Sequence, residues 1–96
     1  MRMHIIVSVL VCIAGFYFSL SSAEWIVIIL CIVLVISFEL INTAIEELCN
    51  LVHPKQHPII KKVKDIAAAA VLVAATGSVV AALIIFLPKL ISLFST

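Results

Sequence analysis

Five residues could do chemistry together if they lie on one helix. Glu39, Asn42, Thr43, Glu46 and Asn50 stand at offsets of 0, 3, 4, 7 and 11, the spacing of neighbours on a single helical face. Leu40, Ile41, Ala44, Ile45 and Leu48 cover the other faces. The segment therefore reads as an apolar helix with one polar stripe. Two carboxylates on one face repel each other unless a proton or a cation comes between them. A magnesium ion would serve, because it prefers oxygen ligands and commonly bridges carboxylates to phosphate oxygens. Further along stand Lys61, Lys62, Lys64 and Asp65. If the chain doubles back as an antiparallel hairpin, "KVKD" returns to the level of Glu46. Carboxylates, an amide, a lysine and an aspartate would then meet at one membrane interface, a depth that lipid head groups and nucleotide phosphates both reach.

The elements that must position these residues follow from composition. The chain has 96 residues, of which 66% are hydrophobic and 11% charged. A soluble domain of this size keeps a more charged surface. The expected fold is all-α, an integral membrane protein forming a single membrane domain over residues 1–96. A net charge of +1, with no basic run interleaved with aromatics, excludes a nucleic-acid partner.

Three apolar segments stand out: 5–20, 25–38 with a helical pattern running on to Asn50, and 66–87. A spanning helix needs about 20 mostly apolar residues. The third segment fits outright, the second fits with its polar stripe partly immersed, and the first is marginal. Helices are expected near 4–20, 25–50 and 59–88. The first segment also has the look of a signal peptide, with Arg2, an apolar run and then "SSAE". Cleavage there would leave only two hydrophobic helices and no secreted domain, so it is read as the first span.

Arg2 precedes the first segment, and Lys55, Lys61, Lys62 and Lys64 lie between the second and third. The positive-inside rule then puts the N-terminus and the 50–64 loop in the cytoplasm and the C-terminus outside. Trp25 and Pro88 fall at the outer interface, with Lys89 beside them and Glu24 as an outer-loop charge. From Trp25 to Glu39 is about 21 Å of helix, against a hydrocarbon core of about 30 Å. Glu39 thus lies inside the cytoplasmic boundary, and Glu46 near it. An ionisable group at that depth is expensive and marks function.

Other polar residues have plainer readings. Two His-Pro pairs make 52–58 a tight turn, with His53 and His57 as turn residues rather than metal ligands. Glu47, Lys61 and Lys62 read as solvated interface charges. Asn42 could serve only as an interhelical hydrogen-bonding group. Cys12, Cys31 and Cys49 show no zinc or C-x-x-C spacing and read as small hydrophobes. Ala70, Ala74, Ser78 and Ala82 repeat at every fourth position, a small-residue stripe that lets helices approach closely in lipid. Three short spans cannot enclose a site alone, so a homo-oligomer is expected, although packing within one hairpin would use the same stripe.

"E-L-I-N-T-A-I-E" at 39–46, followed by "K-D-I-A-A-A-A-V" at 64–71, resembles the prokaryotic diacylglycerol kinase family, which includes undecaprenol kinases. The resemblance covers essentially the whole chain. It implies a homotrimer of subunits with three transmembrane helices in the bacterial plasma membrane. It also implies Mg²⁺- and ATP-dependent phosphorylation of a lipid hydroxyl without a P-loop or a protein-kinase motif. By this resemblance Glu39 looks like the general base and Asn42 the amide that orients it. Glu46 looks like a metal-binding carboxylate on the nucleotide side. Lys64 resembles the lysine on the nucleotide phosphates, Asp65 the aspartate supporting the site, and His57 a residue of the nucleotide-side loop.

Two departures accompany the match. Asn50 stands where many members have an aspartate. The family's amphipathic surface helix, and a metal-binding glutamate in the segment after it, have no counterpart here. "MRMH" matches the end of that segment, with Arg2 and His4 in place, so Met1 is expected to be an internal methionine of a longer frame. The lipid acceptor is diacylglycerol, giving phosphatidic acid, or undecaprenol, giving undecaprenyl phosphate. The His57-Pro58 turn and "K-V-K-D-I-A-A-A-A-V" stand closer to the undecaprenol type. The alternative is a catalytically impaired or non-enzymatic membrane protein, in which Glu39 is dispensable. An ion carrier would also explain a buried glutamate, but gives no role to Lys64 and Asp65.

Overall fold

A computed structural model describes residues 2–53, 55 and 57–95. Met1, Pro54 of the expected turn and the side chain of Arg2 lie outside what it describes. The chain forms three helices, α1 (Arg2–Phe18), α2 (Ser22–Val52) and α3 (Pro58–Phe94). They lie side by side in a rod of 59 × 20 × 17 Å. α2 and α3 form the long interface, and α1 leans on α2 with a smaller one.

Both α2 and α3 are long and apolar enough to cross a membrane, while α1 is a shorter apolar helix. At 1.5 Å per residue, α1 spans about 26 Å and α3 about 55 Å. Most large apolar side chains point outward, among them Leu30, Leu34, Leu72 and Leu83. The buried apolar set is small, with Ile28, Val35 and Cys49 on α2 and Ala67, Val71 and Ala74 on α3. A rod this apolar outside is built for a lipid environment.

The first connection is set by its own chemistry. Ser19 takes φ 53°, in the left-handed region, and the Leu20 N–H returns to the Gly15 carbonyl at 3.3 Å. This closes α1 in the manner of a Schellman turn. Gly15 is needed for a further reason, because a Cβ there would stand 2.7 Å from the Trp25 ring. Ser21 then caps α2. Its hydroxyl accepts from the Glu24 N–H at 3.2 Å, and its own N–H donates to Glu24 Oε1 at 3.0 Å. This S-x-x-E capping box starts the helix at Ser22, three residues before the start that the apolar run suggests. Glu24 accordingly belongs to the first helical turn rather than to an outer loop, and it pairs with Lys89 at 3.2 Å.

The third helix does not stop at Pro88. The ring removes one backbone bond and α3 continues to Phe94. Membrane helices tolerate proline where neighbours stabilise the turn, and here the Lys89–Glu24 pair ties the far side of Pro88 to α2. Phe18 against Phe86, at 6.0 Å between ring centres, joins α1 to α3 at the same end. All three cysteines are free, with Cys49 buried, in keeping with a packing role.

Candidate active site

The polar stripe lies on the C-terminal half of α2. Thr43 spends its hydroxyl proton on its own helix, donating to the Glu39 carbonyl at 3.0 Å, so it has no proton left to give a ligand. Asn42 donates Nδ2 to Glu46 Oε1 at 3.4 Å, which links the amide to the carboxylate one turn on. The other end of that amide is the notable atom. Asn42 Oδ1 is buried and has no hydrogen-bond partner among the described residues. A buried acceptor left this way costs about 1–3 kcal/mol, a sum recovered if a ligand hydroxyl donates to it.

α3 returns alongside α2 as a hairpin, and Lys64 arrives with its Nζ donating to Asn50 Oδ1 at 2.7 Å. The lysine thus meets the end of the stripe, one helical turn beyond Glu46. The partner is a neutral amide, so the ammonium charge is held in place without being cancelled. Lys64 has three N–H donors and Asn50 takes one. Asp65 follows as an exposed residue.

His57 caps α3. Its Nδ1 accepts from the Ile59 N–H at 3.1 Å, with Pro58 in the first turn, a position suited to proline. That contact puts the proton of a neutral His57 ring on Nε2. His53 has the opposite arrangement, because its Nδ1 meets the Lys55 carbonyl at 2.7 Å and a carbonyl can only accept. The two rings lie 5.1 Å apart. Both histidines thus have local structural work in the turn.

α1 adds a residue that the stripe on α2 does not announce. His4 Nδ1 lies 3.7 Å from Glu39 Oε2. The signal was available in principle: α1 runs antiparallel to α2, so a polar residue near its start falls beside the C-terminal half of α2. The rotation of an all-round apolar helix is not fixed by its sequence, and hence the partner is not.

Magnesium fits the donor set only in part. No group of three or more His, Cys, Asp or Glu side chains among the described residues could hold a metal ion. Glu46 is exposed and has engaged one oxygen with Asn42. It can therefore offer one carboxylate to a cation whose other ligands are phosphate oxygens and water, the usual Mg²⁺ arrangement in nucleotide sites.

The pattern described as prokaryotic diacylglycerol kinase matches residues 1–86. Among curated proteins the chain is similar to the undecaprenol kinase of Bacillus subtilis (strain 168). The two are 46% identical over 89 residues, covering 93% of this chain and 72% of the relative. No solved structure matches it significantly.

Proposed function

The chain belongs to the prokaryotic diacylglycerol kinase family, and from this we propose that it transfers the γ-phosphoryl group of ATP to the hydroxyl of a membrane lipid alcohol. Undecaprenol is the preferred acceptor, supported by the 46% identity to a protein named undecaprenol kinase. Diacylglycerol is the second reading, supported by the family's own description.

The observation that carries the proposal is the unpartnered Asn42 Oδ1 on the helical face that also presents Glu39 and Glu46. The single proton of an incoming hydroxyl meets two acceptors within one helical turn: Asn42 Oδ1 holds it on arrival, and it passes to the Glu39 carboxylate as the hydroxyl attacks. As the proton leaves, the lipid oxygen forms a bond to the γ-phosphorus. The bond from that phosphorus to the β–γ bridging oxygen breaks, and its electron pair departs with ADP. The proton remains on Glu39 until solvent removes it. Lys64 places its unused N–H donors on the phosphate oxygens and offsets the charge that gathers there. Asp65 and His57 border the same nucleotide approach. Bound Mg²⁺ supplies charge neutralisation on the phosphates, and Glu46 is the carboxylate of this chain that would hold it. Phosphoryl transfer asks mainly for positioning and charge neutralisation, so this short inventory is enough.

The same reading places the chain as a homotrimer with α1, α2 and α3 all crossing the membrane. The N-terminus and the 50–64 turn then face the cytoplasm, where ATP is. The groove between α2 and α3, lined by Leu34, Phe38, Ala70 and Gly77, and the outward leucines leave ample apolar surface for neighbouring subunits. The small-residue stripe also serves packing within the hairpin, since Ala74 is buried there.

The test is transfer of labelled phosphate from ATP to undecaprenol and to diacylglycerol in detergent micelles with Mg²⁺. Glu39→Gln is expected to lower the rate at least about a thousandfold, the scale of losing an essential base together with its charge. Equal transfer by Glu39→Gln, or no transfer by the parent chain to either lipid, defeats the proposal.

A further inference from the structure

We infer that His4 is a positioning residue for the Glu39 carboxylate, so that α1 takes part in the site through its imidazole. The inference rests on the kinase reading above for its catalytic meaning, and on geometry alone for the contact.

His4 Nδ1 is buried and makes no hydrogen bond among the described residues. A buried ring nitrogen in an apolar setting needs a partner. The candidates are few. The ring borders a cavity of about 250 Å³ between the three helices, whose walls are mostly aliphatic, including Val7, Val35 and Val79. Two hydroxyls also line it, but neither is hydrogen-bonded to Nδ1, and each donates to its own helix. Ser8 Oγ donates to the His4 carbonyl at 2.6 Å, and Ser78 Oγ donates to the Ala74 carbonyl at 2.8 Å. Between Ile66 and Pro88, α3 carries no titratable side chain at all. The carboxylate at 3.7 Å is the acceptor within reach.

That separation is an ion-pair distance slightly longer than a hydrogen bond. A small rotation of either side chain closes it, and apo sites often hold such contacts loose until substrate binds. Both partners are partly buried, with 29% of the His4 side chain and 18% of the Glu39 side chain exposed. An N–H donated to Oε2 fixes the plane of the carboxyl group. The orienting group comes from a different helix than the base, and the distance between α1 and α2 becomes part of the catalytic geometry.

The test has one arm that needs no activity. The carboxylate stretching band of Glu39, assigned by difference against Glu39→Gln in the full chain in micelles, reports its hydrogen bonding. His4→Leu is expected to shift that band. His4→Asn, whose amide N–H can occupy the place of Nδ1, is expected to return it toward the parent position. In the second arm, His4→Leu lowers kcat about 10- to 100-fold, the scale of a misplaced catalytic group. The KM for ATP stays put and His4→Asn recovers part of the loss. A purely structural role would lower folded yield and leave the band in place. An unmoved band overturns the contact. A shifted band with unchanged kcat overturns the positioning role. Absence of transfer by the parent chain instead overturns the kinase reading, and the band then decides on the contact by itself.

Discussion

The two ends of the rod carry similar groups and treat them in opposite ways. At the end that the proposed orientation puts outside, Glu24 is engaged twice: its Oε1 accepts from the Ser21 N–H and pairs with Lys89. Phe16 stacks near Trp25, with 5.0 Å between ring centres, and Phe18 meets Phe86. At the end that the same orientation puts inside, Asn42 Oδ1 has no partner among the described residues, Lys64 is held by a neutral amide, and His4 stops short of a hydrogen bond. The outer end is closed on itself, and the inner end has capacity left over. That difference separates a clasp from a site, because groups satisfied within the chain have nothing to offer a ligand.

The contrast can be broken from either side. The largest effect is expected at the inner end. Lys64→Met removes the charge while keeping the length of the stem, and should cut phosphate transfer about a hundredfold with little change in melting temperature, as for other electrostatic clamps. Equal losses in stability and rate would mean that Lys64 is part of a clasp after all. At the outer end the order reverses. Gly15→Val pushes a side chain into the Trp25 ring, 2.7 Å from the position of the new Cβ, and should cost about 1–3 kcal/mol of stability. Trp25 is the single tryptophan, so its emission should shift in step. An unchanged spectrum would show that the ring has room to move.

A smaller effect is expected at the turn. His57→Ala removes the cap from α3 and should lower stability by about 1 kcal/mol, with His57→Asp restoring it, since a carboxylate caps at least as well. Any loss of transfer that His57→Asp fails to restore measures the part His57 plays toward the nucleotide. The smallest effect belongs to the Glu24–Lys89 pair, a single ion pair with both partners partly in solvent, which contributes little. Lys89→Met should leave transfer unchanged and alter thermal unfolding slightly, and a marked loss of activity would join the two ends in one mechanism.

Much of the site is legible in the sequence because a 100° helical step places Glu39, Asn42, Glu46 and Asn50 together without tertiary information. The hairpin that brings Lys64 back is legible too, from charge and apolar run lengths. The partner of Lys64 is not, since one turn of slip along α2 separates Glu46 from Asn50 and composition does not choose between them. The S-x-x-E box at Ser21 was open to reading, yet its small residues look equally like a cleavage site or a loop. The run past Pro88 is accompanied by the Lys89–Glu24 pair, a contact 65 residues apart in sequence that no local rule supplies. His4 is the clearest case, as an apolar helix carries no mark of which side faces its neighbour.

The length of α3 has one more consequence. Lys64 and Lys89 lie 25 residues apart on the same unbroken helix, about 38 Å along its axis. The hydrocarbon layer is about 30 Å thick, so in the proposed orientation the two ammonium groups rest in opposite head-group layers. Neither can enter the oil without a heavy penalty. The helix is therefore held at a fixed height, like a bolt with a nut at each end, and a thicker or thinner bilayer is met by tilt rather than by sliding. Glu39, tied to α3 through the hairpin, keeps its distance from the surface as the lipid mixture around it changes.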